Sequence, residues 1–454
     1  MALISVNPAT GDTIKTYEEM TPAQAAAAVV HAHDAWRAWR KTTFAERAGL
    51  MRKTAELLRG RKTELARLMA MEMGKPLKQG AAETEKCALG CDYYADKAES
   101  HLAPEIIETD ASKSYVAFEP LGVILAVMPW NFPLWQVYRF AAPALMAGNV
   151  GVLKHASNVP GCALAIEEMF AQAGFPAGVF RTLLVGSAQV RALIEHPLVR
   201  AVTLTGSTPA GQAVAAQAGA VVKKTVLELG GSDPYIVLED ADLEYAVQTC
   251  ATSRLINSGQ SCVNAKRFII VEPLVEAFTE RLVALMRAKK MGDPLAEDTE
   301  VGPQARPDLR DDLHRQVRES VAKGARLLLG GDIPPGRGAY YPPTVLGDVK
   351  PGMPAYDEEL FGPVASIIKA KDEQDAVRIA NDTIFGLGAA VFTKDLKRGE
   401  RVARDLDAGC TFVNALVASD PRLPFGGIKE SGYGRELGSY GIKEFVNMKM
   451  VYIR

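Results

Sequence analysis

Cysteine is scarce in this sequence, and the few cysteines are spread over its whole length. The 454 residues include Cys87, Cys91, Cys162, Cys250, Cys262 and Cys410. So few cysteines in so long a chain do not form a disulfide framework, and a chain of this size buries enough apolar surface to fold without one. We therefore expect a reducing compartment, the cytoplasm.

Long apolar runs and an excess of positive charge are also missing. The longest apolar candidate, near Val123–Val127, has the length of a strand, whereas a membrane span needs roughly 18–20 residues. The opening MALISVNPATGD has no basic segment followed by an apolar one, so we expect no secretory signal. Lys and Arg number 52 against 54 Asp and Glu, which gives a net charge of -2. We therefore expect neither a membrane nor a nucleic acid as partner.

Short apolar segments alternate with helical patterns through most of the chain. We predict strands at Gly122–Val127, Gly151–Lys154, Phe180–Val185, Ala201–Thr205, Asp233–Asp240 and Arg267–Val271. Helices are predicted over the first hundred residues, with N-caps at Thr21 and Thr43, and at Leu134–Met146, Pro160–Ala173, Leu243–Leu255 and Val275–Lys289. Such alternation is typical of an α/β protein whose parallel sheets are covered on both faces.

The tail of the chain has a different pattern. From Phe445 onward, apolar and polar residues alternate, which predicts a terminal strand. It has no local hairpin partner, so we expect it to pair elsewhere in the chain or with another subunit.

The dinucleotide fingerprint GxGxxG is absent, since Gly386-Leu387-Gly388 lacks the third glycine. A weaker candidate for an anion site is TLTGSTPAG, Thr203–Gly211, in which a β-branched strand leads into a helix with Ser207 at its N-cap. The free N–H groups at a helix N-terminus can bind phosphate. An ordinary strand–turn–helix connection is the alternative interpretation.

Two residues are candidates for covalent chemistry. Cys262 stands in the polar loop GQSCVNAKR, which can expose a thiol to backbone N–H donors, whereas Cys162 and Cys250 lie in apolar segments and are interpreted as structural. Glu228 lies between leucines in LELGG, where a carboxylate is costly unless it is paired or functional. A salt bridge on an edge strand is the alternative. None of the six histidines stands in a similar loop, and we expect them on the solvated surface, so Glu228 is the preferred base.

Asn131 stands between two aromatic residues in MPWNFPLW, where a rigid amide can aim its N–H groups at a developing oxyanion. A turn residue is the alternative.

Cys87 and Cys91 lie one helical turn apart, but a metal needs further ligands and only His101 is near. No metal site is therefore expected.

Nine motifs in order resemble the aldehyde dehydrogenase superfamily over nearly the whole chain. They are NPATG, MPWNFP, LKHASN, LTGST, LELGG, GQSC, EELFGPV, FGLGAAVFT and PFGGIKESGYGRE. The GQSC cysteine follows the LELGG glutamate by 34 residues, as in that family. The segments MPWNFPLWQVYRFAAPALMAGN and ELGGSDP further resemble the shorter bacterial succinate-semialdehyde dehydrogenases.

The resemblance implies a fold with a Rossmann-like cofactor domain, an α/β catalytic domain and a small β element for oligomerisation. It places the cofactor domain at residues 1–108 and 122–229, the catalytic domain at 230–432, and the oligomerisation element at 109–121 and 433–454. It also implies a homo-oligomer, either a dimer or a tetramer, that acts on a small aldehyde.

The resemblance assigns the chemistry as well. Cys262 would attack the aldehyde, Asn131 and the Cys262 N–H would hold the oxyanion, and Glu228 would activate water to hydrolyse the thioester left after hydride transfer. The residues implied to bind the dinucleotide are Trp130, Lys154, Ser157, Gly186, Gly206, Ser207, Leu229, Glu359 and Phe361.

Substrate and cofactor choice depend on three positions. Arg139 is costly to bury among apolar residues without an anion, which the carboxylate of succinate semialdehyde could supply, and a structural ion pair is the alternative. Ser419 matches a serine that helps to hold this carboxylate in the resembling enzymes. Ser157 stands where NAD-preferring relatives commonly have a glutamate, and with Lys154 it favours NADP over NAD.

Other interpretations stay open. A different small aldehyde is the nearest alternative substrate. A coenzyme A-dependent acylating relative would not need Glu228, and a structural or binding-only relative would have lost Cys262 or Glu228, both of which are present. Asn264 stands where some relatives have a second cysteine, so a local disulfide switch is excluded.

Overall fold

The computed structural model describes residues 2–454, and in this range the strands form sheets of seven, six, three and two strands. The first half of the strands comprises β1 (Ala2–Val6), β2 (Thr13–Glu18), β3 (Glu105–Ile106), β4 (Lys113–Pro120), β5 (Val123–Met128), β6 (Val150–His155), β7 (Phe180–Thr182), β8 (Val199–Thr205) and β9 (Lys224–Glu228). The second half comprises β10 (Pro234–Val237), β11 (Arg267–Val271), β12 (Arg326–Leu329), β13 (Thr344–Gly347), β14 (Val364–Ala370), β15 (Gly388–Phe392), β16 (Cys410–Val413), β17 (Gly432–Tyr433) and β18 (Val446–Ile453).

Helices cover these sheets. Those of the first half are α1 (Pro22–Trp39), α2 (Phe44–Gly60), α3 (Lys62–Met73), α4 (Leu77–His101), α5 (Trp135–Met146), α6 (Pro160–Ala173), α7 (Val190–Glu195) and α8 (Thr208–Ala220). Those of the second half are α9 (Leu243–Leu255), α10 (Val275–Arg287), α11 (Pro307–Ala322), α12 (Pro354–Asp357), α13 (Glu373–Asn381), α14 (Leu396–Asp405) and α15 (Gly438–Gly441). Short 3-10 turns lie at Ser187–Gln189, Ile256–Gly259, Glu272–Leu274 and Lys429–Ser431.

The six-stranded sheet has the order β17-β9-β8-β5-β6-β7, in which β17 alone is antiparallel to its neighbour. Helices α1 and α5 contact β5, whose residues are almost all buried. The predicted parallel sheet is therefore confirmed. The strands β5, β6, β8 and β9 end on the same side, and we call the segments that follow them the carboxyl edge of this sheet.

The seven-stranded sheet has the order β12-β13-β14-β11-β10-β15-β16 and is parallel except for the pair β12–β13. It confirms the second α/β layer predicted from the later strand–helix alternation. The described chain contains no helix that is both long and apolar enough to cross a membrane.

The last strand, β18, finds its partner far back in the chain. It pairs antiparallel with β4, with Val446 opposite Pro120 and Ile453 opposite Lys113, and β3 completes the sheet. This confirms the predicted terminal strand with a distant partner. Met448, Met450 and Tyr452 of β18 remain exposed.

The prediction of helix over the whole N-terminal region is wrong for the residues before α1. They form the antiparallel hairpin β1–β2, whose turn closes with Gly11 N–H donating to the Asn7 carbonyl at 2.7 Å. Gly11 has a φ of +78°, which favours glycine. The Ser5 hydroxyl also donates to buried Glu72 of α3 at 2.9 Å. Only the contact of Ser5 with Glu72 is long-range, whereas the hairpin and its turn at Asn7–Gly11 are local features that the prediction of helix does not include.

The N-termini of the first two helices after this hairpin have the capping residues that the sequence predicts. The Thr21 hydroxyl accepts from the Gln24 N–H and that of Thr43 accepts from the Glu46 N–H, both at 3.2 Å. Both predicted N-caps are confirmed, each as part of a capping box.

Candidate active site

A cavity of about 520 Å³ lies between helices and reaches the Cys262 side chain. Helix α4 lines it with Gln79, Glu83 and Lys86, and α5 with Trp135, Gln136 and Arg139. Residues three and four apart share one face of a helix, so each helix presents a single stripe to this space. The segment Leu416–Ser419 and Phe425 also line the space, which we call the Cys262 cavity.

The loop that carries Cys262 is held in a tight conformation. Asn257 and Ser258 have φ values of 54°, in the left-handed region. Gly259 follows with a φ of +80°, and a Cβ there would lie 2.1 Å from the Gly362 carbonyl carbon, so only glycine fits. Lys266 Nζ donates to the Ser261 and Cys262 carbonyls at 2.9 and 2.8 Å, and these two hydrogen bonds hold the loop in place.

The Cys262 thiol is half-buried, and burial raises its pKa to about 12. The charges of Arg139 and Lys266 act against this rise in the pKa, whereas those of Glu359 and Glu228 add to it. The thiol is therefore protonated at neutral pH and must lose its proton before it can act as a nucleophile.

Glu228 is the last residue of β9 and is buried. Within residues 2–454 it makes no ion pair, and neither carboxylate oxygen has a hydrogen-bond partner, so the edge-strand salt bridge considered from the sequence is not formed. Burial raises the pKa of this carboxyl well above its usual range, with Arg139 acting against the rise and Glu436 adding to it. A Cβ on Gly426 would lie 2.6 Å from Glu228 Oε1, so this glycine makes room for the carboxylate.

Asn131 is tied to the cysteine loop. The side-chain Nδ2 of Asn131 donates to the Gln260 backbone carbonyl at 3.2 Å, and the backbone carbonyl of Asn131 accepts from Asn257 Nδ2 at 2.6 Å. A primary amide has two N–H donors, so one N–H of Asn131 remains available for a further acceptor.

The second glycine of LELGG explains why this motif lies beside the cysteine loop. A Cβ on Gly231 would lie 2.8 Å from the Cys262 carbonyl oxygen. The Gly231 N–H donates to Glu359 Oε1 at 3.0 Å, and Lys266 Nζ lies 3.3 Å from the same oxygen. The structure thereby links Glu359 to the cysteine loop through Lys266.

Several residues assigned to the dinucleotide lie on the carboxyl edge. Lys154 is the half-buried penultimate residue of β6, and Ser157 lies two residues beyond the strand and is exposed. The Lys154 ammonium group makes no hydrogen bond or ion pair in the described chain, and burial lowers its pKa. Ser207 is the N-cap of α8, with no hydrogen bond from its side chain to the helix, so the first N–H groups stay free for an anion.

Other residues of this group shape the edge. The Gly206 N–H donates to the Glu228 carbonyl at 3.0 Å. Leu229 covers Gly211, where a Cβ would lie 2.5 Å from Leu229 Cδ2. Gly186 instead follows β7, and its N–H donates to Glu19 Oε1 at 2.8 Å.

An aromatic pair stands between the edge and the second sheet. Trp130 and Phe361 meet edge to face, with ring centroids 5.7 Å apart. Phe361 lies two residues after Glu359, so both residues of the EELFGPV motif named from the sequence reach this region.

The two residues assigned to the substrate carboxylate line the Cys262 cavity. Arg139 forms an ion pair with Glu436, and the two side chains are only 2% and 5% exposed. This is the structural ion pair considered as the alternative, so binding of a substrate anion by Arg139 stays a prediction. The Ser419 hydroxyl accepts from Lys86 Nζ at 2.7 Å and from Trp135 Nε1 at 3.1 Å.

Sequence reasoning missed Lys86, Lys266 and Glu436. Lys86 lies next to Cys87 on the buried side of α4, so its position in the helical repeat was the available signal.

The expectation of solvated histidines is wrong for His155, which is buried with Nε2 2.8 Å from the Pro133 carbonyl and Nδ1 accepting from the Ala156 N–H. No metal-binding group of three or more His, Cys, Asp or Glu side chains occurs within residues 2–454.

Comparison with known proteins agrees with this geometry. The aldehyde dehydrogenase family model matches residues 2–451. The chain is 51% identical over 453 residues to the probable succinate-semialdehyde dehydrogenase (NADP+) of Synechocystis sp. and 50% identical over 456 residues to succinate-semialdehyde dehydrogenase (NADP+) 1 of Mycobacterium tuberculosis, with 100% of each chain covered. The crystal structure of succinic semialdehyde dehydrogenase from Streptococcus pyogenes in complex with NADP+ superimposes with a TM-score of 0.97 at 38% identity, again over 100% of both chains.

Proposed function

Because the chain belongs to the aldehyde dehydrogenase family, we propose that it oxidises succinate semialdehyde to succinate with NADP+ as the hydride acceptor. The observation that carries this proposal is the Cys262 cavity, in which the thiol shares one space with Arg139, Lys86 and Ser419. Cations and hydroxyl donors are the groups that a carboxylate requires. An aldehyde that carries a carboxylate therefore fits this cavity better than an uncharged one.

The proposed reaction begins with the Cys262 thiolate, which forms a C–S bond to the aldehyde carbon. The remaining Asn131 N–H and the Cys262 backbone N–H donate to the oxyanion that develops. The chemistry that NADP+ supplies when bound is acceptance of the hydride, which leaves the acyl group on Cys262 as a thioester. Glu228 takes a proton from water, the water oxygen adds to the thioester carbonyl, and the C–S bond breaks to release succinate.

The raised pKa of Glu228 suits this role. A carboxylate whose pKa is raised by burial is a stronger base when it is ionised than an ordinary glutamate. Its two oxygens have no hydrogen-bond partner in the described chain, so both are free to accept from water.

The carboxyl edge fits NADP+ through its unpaired groups. Lys154 is a half-buried cation without an acidic partner among the described residues, and Ser157 adds a neutral hydroxyl donor three residues later. Neither residue repels a phosphate on the adenosine ribose, and the N-terminus of α8 offers free N–H groups to the diphosphate. We therefore infer a preference for NADP+ over NAD+, with Trp130, Phe361 and Glu359 placing the nicotinamide end.

The function is tested by turnover of succinate semialdehyde and of butanal, an uncharged aldehyde of the same chain length, each with NADP+ and with NAD+. We expect the highest kcat/KM for succinate semialdehyde with NADP+, and equal amounts of succinate and NADPH as products. A higher kcat/KM for butanal would indicate a different aldehyde as substrate, and a higher kcat/KM with NAD+ would contradict the cofactor assignment.

We propose further that the enzyme is a cytoplasmic homodimer or homotetramer. All six cysteines are free, as expected for a reducing compartment. The exposed side chains of Met448, Met450 and Tyr452 on β18 support burial of this sheet against another subunit. Light scattering of the purified protein distinguishes monomer, dimer and tetramer.

A further inference from the structure

One cation in the Cys262 cavity is both partly buried and without an acidic partner. Four cationic side chains line this space, namely Lys78, Lys86, Arg139 and Lys289. Arg139 pairs with Glu436, and Lys289 pairs with Glu300 at 2.8 Å. Lys78 is exposed to solvent. Within residues 2–454, Lys86 is partly buried and makes no ion pair.

The acidic groups near Lys86 are already engaged. Glu83 forms an ion pair with Lys75, and Asp420 pairs with Arg422 at 2.6 Å. Burial, together with the charge of Arg139, lowers the pKa of Lys86 to about 8, although the charges of Glu83 and Asp420 act against this. A partly desolvated ammonium group without a counter-ion is unfavourable, and an anion bound beside it would relieve this cost.

The geometry around Lys86 presents several donors together. The Lys86 ammonium lies 4.6 Å from the centre of the Trp135 ring and donates to Ser419 Oγ. Ser419 Oγ accepts from both Lys86 and Trp135, so its own hydrogen is free to donate to a third group. The ammonium has two further N–H donors. A ligand that only accepts hydrogen bonds, such as a carboxylate, matches this set.

We propose that Lys86, with Ser419, makes the direct contacts that hold the carboxylate of the aldehyde substrate. Arg139 forms an ion pair with Glu436, so it attracts the substrate carboxylate only at longer range. This inference rests on the proposed function and deepens it, because Lys86 becomes the residue that selects an aldehyde with a carboxylate over an uncharged one.

The test compares Lys86→Met, Lys86→Arg and the unmodified enzyme on succinate semialdehyde and butanal. Because Lys86→Met removes a charge-assisted hydrogen bond to the substrate carboxylate, KM for succinate semialdehyde should rise by about 10- to 100-fold. The kinetics with butanal should change little, and Lys86→Arg should recover part of the affinity. Lys97→Met, which changes an exposed lysine of the same helix, is the matched control and should leave both substrates unaffected. Equal reductions in kcat/KM on both aldehydes, or an unchanged KM in Lys86→Met, would overturn the inference.

A titration with succinate separates this inference from the proposed function. Calorimetry should show that the unmodified enzyme binds succinate and that Lys86→Met binds it much more weakly. If the unmodified enzyme prefers butanal, the proposed function fails. The titration then decides the role of Lys86 alone, since equal binding by both proteins, or no binding by either, would overturn the assignment of Lys86 to a carboxylate.

Discussion

The carboxyl edge of the six-stranded sheet and the Cys262 cavity use their charges differently. At the edge, Lys154 is half-buried near the end of β6 and Ser157 is exposed just beyond this strand, and no acidic group neutralises the lysine in the described chain. In the cavity, Arg139 is buried and its charge is compensated by an ion pair with Glu436. An exposed position can change the preferred ligand without disturbing the fold, whereas a buried pair cannot lose one member cheaply. Cofactor choice should therefore be easier to alter than the centre of the cavity.

The largest effect is expected at the nucleophile. Cys262→Ala should reduce dehydrogenase activity below detection, while the thermal unfolding temperature changes little, because only a loop thiol is removed. Cys410→Ala, which removes another half-buried thiol, should stay active. A well-folded Cys262→Ala protein with substantial turnover would contradict the assignment.

The second effect concerns the buried carboxylate. Glu228→Gln should slow thioester hydrolysis by roughly 10²- to 10⁴-fold, the usual contribution of a general base, while hydride transfer persists. Stopped-flow measurement should therefore show a burst of NADPH followed by slow turnover. If the burst disappears together with turnover, Glu228 acts earlier, on the thiol itself.

Loss of the buried ion pair between Arg139 and Glu436 is expected to destabilise the fold. Arg139→Ala leaves Glu436 as an uncompensated buried charge and should lower the free energy of unfolding by about 3–5 kcal/mol. It should also raise KM for succinate semialdehyde more than that for butanal. The double variant Arg139→Ala with Glu436→Gln should recover part of the thermal stability. The absence of recovery would show that the pair does not account for the destabilisation.

At the carboxyl edge, His155 predicts a dependence of stability on pH. Its pKa is lowered by burial from 6.5 to about 4 in the folded chain, so between these values the unfolded chain binds the extra proton. Above pH 6.5, the lowered pKa of His155 contributes on the order of 3 kcal/mol to the free energy of unfolding. This stabilisation decreases as the pH falls below 6.5 and is lost as the pH falls through 4. The melting temperature of His155→Gln should fall less than that of the unmodified enzyme between neutral pH and pH 5, and an equal fall would argue against the buried neutral ring.

The smallest effect is expected at Ser157. Ser157→Glu places a carboxylate beside the site proposed for the ribose phosphate and should weaken NADP+ binding by about tenfold or more through like-charge repulsion. NAD+ kinetics should change less, so the preference shifts toward NAD+, and the melting temperature should stay the same because the side chain is exposed. Unchanged affinity for NADP+ would remove Ser157 from the cofactor site.

The two regions also differ in how far the sequence predicts them. Strand ends followed by glycine, serine or lysine can be recognised locally, so Ser207 as an N-cap and the segments after β6 and β8 follow from the pattern. Lys86 and Glu436 lie 350 residues apart in the chain and reach the same region only through folding. The N-terminal hairpin is different, because its pairing and its turn at Asn7–Gly11 are local, and only the contact of Ser5 with Glu72 is long-range. The domain boundaries and the site roles remain predictions.

One measurement tests the account most directly, which is the identification of the covalent intermediate in Glu228→Gln. The protein is mixed with succinate semialdehyde and NADP+, quenched in acid, digested and examined by mass spectrometry. The account predicts one succinyl group on the peptide that contains Cys262, together with one NADPH formed per acylated site. NADPH formation without an acylated Cys262 peptide, or a succinyl group on a different cysteine, would contradict it.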